Sequence, residues 1–140
     1  MARHTVRRFM TAGPHSISSQ HTLADAHRLM RERGIRHLPV VDGGRLAGVV
    51  SQRDLYLLET LRGVELARER VEDAMSDEPY VVSPDAPLDE VAEAMATRRH
   101  GSALVVERTE IVGIFTSTDA LRALAALLRE GAGGEGSGPG

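Results

Sequence analysis

Two short stretches of the chain combine residue types that could hold a ligand. Gly48-Val49-Val50-Ser51-Gln52-Arg53-Asp54 and Gly113-Ile114-Phe115-Thr116-Ser117-Thr118-Asp119 both read glycine, two apolar residues, a hydroxyl, two variable positions and an aspartate. A hydroxyl where a strand ends and a helix begins can bind an anion beside the free N–H groups of the helix. An ionised aspartate in the first helical turn only accepts hydrogen bonds, so it can take both hydrogens of a vicinal diol such as a ribose. Phosphate on the hydroxyl and ribose on the carboxylate together describe a ribonucleotide site. The same spacing is also a plain capping box, which closes many helices that bind nothing. For a single copy capping would be the simpler explanation. Two copies in register change the balance.

The register runs through the whole chain. Shifted by 65 positions without a gap, Val6 falls on Val71, Met10 on Met75, Pro14 on Pro79, Leu23 on Leu88, Met30 on Met95 and Asp54 on Asp119. A repeat of this length is one supersecondary unit used twice. Two copies are too few for a solenoid, so a closed pair packed about a pseudo-twofold axis is expected. Each site would then occur twice, facing a shared cleft.

The elements that must position these residues follow the same order in each unit. In the first, His15 to Ser19 is extended, and Thr22 with Asp25 opens a helix whose stripe is Leu23, Ala26 and Met30. Gly34 can end that helix. His37 to Val41 reads as a buried strand, Asp42-Gly43-Gly44 as a hairpin turn, and Arg45 to Val50 as the returning strand, before a helix from about Gln52. The second unit repeats this with Tyr80 to Ser83, the stripe Leu88, Val91, Ala92 and Met95, strands at Ala103 to Val106 and Glu110 to Phe115, and a helix from about Ser117 to Leu128. The expected fold is α/β, with two tandem β-α-β-β-α units. The first motif with its entry segment spans 1–62, and the second, with a charged connecting helix or turn, spans 63–130. The Gly-rich tail, 131–140, has too little apolar surface to order itself.

Composition removes several classes of function. The chain has 140 residues, 41% of them hydrophobic, and neither Cys nor Trp. Disulfides, thiolate catalysis and cysteine metal sites are therefore excluded. A net charge of −3 disfavours nucleic acid as the main partner, although Arg3, Arg7 and Arg8 form a small basic cluster. No apolar run is long enough to span a bilayer and the start lacks a signal-peptide core, so a cytoplasmic location is expected. The six histidines lack zinc spacing, and Met30 and Met95 read as core fillers. There is no Walker loop, no G-x-G-x-x-G and no nucleophile–base pair, so neither enzyme activity, a catalytic cofactor nor a metal site is expected.

Taken together, these motifs resemble the CBS-domain family, whose tandem pairs are called Bateman modules. The resemblance runs from about Val6 to Leu128. It rests on the Val-x-x-x-Met entries (Val6/Met10, Val71/Met75), on Gly34-Ile35-Arg36-His37-Leu38-Pro39-Val40-Val41-Asp42, and on the two Gly-…-Ser/Thr-x-x-Asp endings. It implies an adenosine ligand in the cleft between the motifs. By resemblance Asp54 and Asp119 hold ribose hydroxyls, and Ser51, Arg53, Thr116 and Thr118 lie near phosphate. Ile17-Ser18 and Val82-Ser83 flank the base, and Arg36 and His37 reach across toward phosphate. A homodimer with helices packed face to face is implied as well.

The second unit departs from the pattern, with Arg99, Gly101, Ser102 and Leu104 where the first has Gly34, Arg36, His37 and Pro39. The two clefts are thus expected to differ in charge and affinity. The expected function is a non-catalytic adenine-nucleotide sensor (AMP, ADP or ATP) that acts on a separate protein. The alternatives are an interaction module with vestigial clefts, or a binder of another adenosyl ligand such as S-adenosylmethionine, NAD or a cyclic dinucleotide.

Overall fold

The computed structural model describes residues 3–61 and 63–136. The elements of the first half are α1 (Val6–Phe9), β1 (Thr11–Ala12), α2 (Leu23–Arg33), β2 (His37–Asp42), β3 (Arg45–Ser51) and α3 (Gln52–Glu59). Those of the second half are α4 (Val71–Ala74), β4 (Val81–Val82), α5 (Leu88–Arg98), β5 (Ser102–Glu107), β6 (Glu110–Thr116) and α6 (Ser117–Gly136). Each half builds an antiparallel hairpin, and both hairpins carry a bulge at the matching place, between Val40 and Val41 and between Val105 and Val106. The leading strand is slight in both. In the second unit it is β4, parallel to β5, while in the first it shrinks to a single parallel bridge from Ile17 to Val40.

Two apolar cores result, one per unit, and each is completed by the other unit's entry segment. Val71 is fully buried among Leu23, Met30, Leu38, Val50 and Leu55 of the first unit. Val6 is fully buried among Val91, Val105, Phe115 and Ala123 of the second. Burying one such side chain contributes roughly 1.5–3 kcal/mol. The backbone repeats the exchange. Val6 donates its N–H to Ala86 O at 2.9 Å and Leu88 donates to His4 O at 2.9 Å. Val71 likewise donates to His21 O at 2.8 Å and Leu23 to Glu69 O at 2.9 Å.

Past these short helices, each entry segment crosses the returning strand of the other hairpin. β1 pairs with β6 through Thr11↔Ile114, and Ser76 makes the corresponding bridge to Val49. This crossing explains the glycine that opens each signature. A Cβ on Gly48 would fall on the Ser76 carbonyl oxygen, and one on Gly113 would fall on the Met10 thioether. Both glycines are buried and serve close backbone approach rather than a ligand.

Of the two readings of the connector, helix or turn, the structure takes the second, with successive turns. Its carbonyls at Leu66 and Glu69 accept the first amides of α2, from Ala24 and Leu23, both at 2.9 Å, and Gly63 adopts φ +77°. At the C-terminal end, α6 runs past Leu128 through Gly136, because extending a formed helix costs far less than starting one. The tail was expected to be disordered from 131, and its last four residues lie outside the described ones. Among the described residues no helix is long and apolar enough to cross a membrane.

Gly48→Ala is expected to lower stability by about 1–3 kcal/mol, because the crossing backbone must move to admit a methyl group. Gly131→Ala, on α6 with open space around it, serves as the control and should leave stability unchanged or slightly raised. Urea unfolding monitored by circular dichroism checks both.

Candidate functional site

The two signature endings lie at the helix starts of α3 and α6, where β3 and β6 end. In the first, Ser51 Oγ accepts the Asp54 N–H at 3.1 Å while Asp54 Oδ2 accepts the Ser51 N–H at 2.8 Å. In the second, the reciprocal distances are 3.3 Å (Asp119 N–H to Thr116 Oγ1) and 2.9 Å (Thr116 N–H to Asp119 Oδ2). Both are complete capping boxes. Capping does not exhaust the first, because the Ser51 hydroxyl keeps its hydrogen to donate, and among the described residues nothing donates to Asp54 Oδ1.

Each ending opens onto a cleft between the units, and the central lining residues of the two clefts correspond through the repeat. The first, about 910 Å³, is lined by Ser51, Arg53 and Asp54, facing Pro79, Tyr80 and Arg99 of the second unit. The second, about 600 Å³, is lined by Thr116, Thr118 and Asp119, facing Pro14, His15 and Gly34. Both volumes suit a small-molecule ligand. Arg36, His37 and Ser117 line both clefts and form the wall between them. Gly101 lets that wall close, since a Cβ there would come within 2.8 Å of His37 Nε2.

The clefts differ in what they leave free. Asp119 is only 6% exposed, and both its oxygens are engaged. Thr11 Oγ1 donates to Oδ1 at 3.1 Å, and the Thr116 hydroxyl donates to Oδ2 at 3.1 Å. Its carboxylate ties the crossing strand β1 to α6 and has little left for a diol. Asp54 is partly exposed and half unused. The first cleft also holds a ring pair, Tyr80 stacked on His100 with centroids 5.4 Å apart and planes 17° apart. In the second cleft the matching residues are His15 and Ile35.

His37 sits half-buried in the shared wall. Burial pushes its pKa below the ordinary histidine value, Asp54 opposes that shift, and Arg36 adds to it. The ring is therefore neutral at neutral pH, and Arg36 carries the wall's charge.

Of the expected site residues, Arg36, His37, Ser51, Arg53 and Asp54 gather in the first cleft, and Thr116, Thr118 and Asp119 in the second. Ile17, Ser18, Val82 and Ser83 line neither. Ile17 is buried in the first core, the Ser18 hydroxyl donates to Asp42 Oδ1 at 2.9 Å, Val82 pairs with Val105, and Ser83 Oγ accepts the Asp85 N–H at 3.1 Å. The entry segment meets the cleft two residues earlier, at His15 and Tyr80, before its chain turns into the sheet. Sequence reasoning also missed Tyr80, His100 and Thr11. The signal for Tyr80 was its place directly after the repeated proline. Thr11 had none, because its partner lies 108 residues away.

Two predictions follow from this asymmetry. Asp119→Ala should cost roughly 1–3 kcal/mol, since it strips a cap at a buried position and removes the part-buried bond from Thr11, whereas Asp54→Ala should cost about 1 kcal/mol. Chemical denaturation of both variants tests the order. For His37 the folded state resists protonation, so the unfolded state takes up the proton first as the pH falls. Stability is therefore expected to be full above about pH 6.5 and to decline as the pH drops below it toward the lowered folded value. His37→Gln should remove that part of the pH dependence in thermal melts between pH 7 and 5.

The CBS-domain family model matches residues 6–58 and 71–126. A Korarchaeum cryptofilum inosine-5′-monophosphate dehydrogenase is 36% identical over 105 residues, covering 74% of this chain but only 21% of that enzyme. Among solved structures, a Vibrio cholerae protein ascribed to acetoin utilization (AcuB) superposes with a TM-score of 0.84 and 34% identity, covering 99% of this chain and all of that one. CBSX2 of Arabidopsis thaliana, crystallised in complex with AMP, is 28% identical with a TM-score of 0.75, covering 89% of this chain and 98% of its own. With two family matches in tandem and whole-chain structural agreement, this chain belongs to the CBS-domain family as a small CBS pair.

Proposed function

We propose that the chain is a non-catalytic sensor of adenine nucleotides and binds them in the first cleft. The observation that carries this reading is Asp54, whose Oδ1 is unused at the edge of a 910 Å³ cleft beside a donor-ready Ser51 hydroxyl and the Arg36 and Arg53 guanidinia. A diol can bridge to that carboxylate, phosphate can take the hydroxyl and the guanidinia, and a purine can lie against the Tyr80–His100 pair. The AMP complex of CBSX2 supports an adenosine ligand. Arginine-rich walls favour phosphates over the sulfonium and ammonium of S-adenosylmethionine. The competing interaction-module reading has one observation behind it, the fully engaged Asp119, and it applies to the second cleft. That cleft is read as structural.

Signalling needs a second component. Tyr56 and Leu57 on α3, and Leu121, Leu124 and Leu128 on α6, are more than half exposed, and these matching helices form the proposed homodimer face. The dimer would report nucleotide occupancy to a separate cytoplasmic protein.

Calorimetry with adenosine, AMP, ADP and ATP tests the reading. One nucleotide per chain is expected, lost in Asp54→Ala and kept in Asp119→Ala under conditions where that variant is folded. 2′-Deoxy analogues should bind about 1–3 kcal/mol more weakly, because one carboxylate acceptor goes unpaired. No binding of any adenine nucleotide, or equal binding of AMP and its 2′-deoxy form, would overturn it.

A further inference from the structure

Arg99 lies outside the repeated signature; Arg108 and Thr109, in the turn between β5 and β6, also have positive φ, but of the three only Arg99 lines the first cleft. It is the C-cap of α5, with φ 58° and ψ 40°, in the left-handed region. The corresponding cap of α2 is Gly34, with φ 64° and ψ 35°. The fold needs the same left-handed turn at both places, and glycine meets that need without strain. A side chain with a Cβ does not, and long side chains rarely adopt this region.

A basic residue near a helix C-terminus can complement its dipole, but that role needs no strained position. Arg98 already stands in the last turn of α5 with ordinary helical geometry. Its guanidinium lies 5.9 Å from the centre of the Tyr80 ring. What the strained site adds is access, because Arg99 lines the first cleft opposite Arg53 and Asp54. Among the described residues Arg36, Arg53 and Arg99 form no ion pair with any carboxylate. Three uncommitted guanidinia from three separate elements thus line one cavity. The second cleft has Gly34 at the matching position, and its arginines are Arg36 and Arg122.

We infer that Arg99 is a specificity-determining residue that tunes the first cleft to polyphosphate ligands, and that strain at its backbone is retained for that purpose. One phosphate can be served by Ser51 with Arg53. Further phosphates need further cations, and Arg99 supplies one that the duplicated unit lacks. The inference deepens the proposed adenine-nucleotide reading, but it concerns the phosphate chain and can be tested apart from the base and ribose.

The test is Arg99→Gly, which places at this cap the residue that Gly34 already shows to fit. Adenosine, AMP, ADP, ATP and inorganic tripolyphosphate are titrated into wild-type and variant protein by calorimetry, with thermal melts alongside. The expected result is a roughly tenfold or greater loss of ATP, ADP and tripolyphosphate affinity, with adenosine and AMP changed by less than about threefold, and an unchanged or higher Tm. Arg99→Lys, which keeps a charge but not the fork, should recover part of the tripolyphosphate affinity. If ATP binds the wild type and the variant equally, Arg99 serves only the helix end and the inference falls while the nucleotide reading stands. If no adenine nucleotide binds but tripolyphosphate does, and weakens in Arg99→Gly, the nucleotide reading falls and the inference stands. An equal loss for all five compounds, or no binding of tripolyphosphate to the wild type, overturns the inference.

Discussion

The interaction on which the rest of the structure depends is the reciprocal burial of Val6 and Val71. Each valine is the last piece of a core that otherwise belongs to the opposite half of the chain. Neither hairpin with its helices has a closed apolar interior of its own, so the two halves are locked face to face by the same contacts that stabilise each of them. The clefts follow directly. Crossing entry segments bring residues 11–15 and 76–80 against the helix starts of the opposite signatures, and the spaces left between them are the two clefts.

This arrangement divides the work within the signature. The glycine makes room for the crossing chain, the two apolar residues fill the core, and the hydroxyl and aspartate start a helix. Only what remains of the last two groups is available to a ligand. In the first cleft a carboxylate oxygen and a hydroxyl hydrogen remain, whereas in the second Thr11 has taken up the carboxylate. The same motif thus leaves hydrogen-bonding groups free in one place and spends them on the fold in the other. The difference comes from the entry segment rather than from the motif, because Thr11 donates to Asp119 while its counterpart Ser76 makes no such bond to Asp54 among the described residues.

Local patterns in the sequence were a good guide to whatever is decided locally. The stripe Leu23, Ala26 and Met30, the Asp42-Gly43-Gly44 turn and the Thr22/Asp25 cap all fold as their spacing indicates. Long-range choices were hidden. Periodicity does not show that Val6 would leave its own unit, nor that the carbonyls of Leu66 and Glu69 would be used by α2 and so keep the connector out of a helix. The residues expected to flank the base, Ile17-Ser18 and Val82-Ser83, line neither cleft for the same reason. Ile17 and Val82 have the right residue types for a strand, and the strand is where they stay, while the cleft is reached from the turn before it.

The exchange of entry segments also bears on how the chain can be made. Translation releases the N-terminus first, at roughly 5–20 residues per second. Val6 emerges early, but its seat includes Phe115 and Ala123, so it waits on the order of ten seconds with its apolar face uncovered. The first core, by contrast, can close once Val71 has left the ribosome. During synthesis, then, the Val6 segment stays without its seat, and α1, only four residues long, cannot hold as a helix until the second core forms around it.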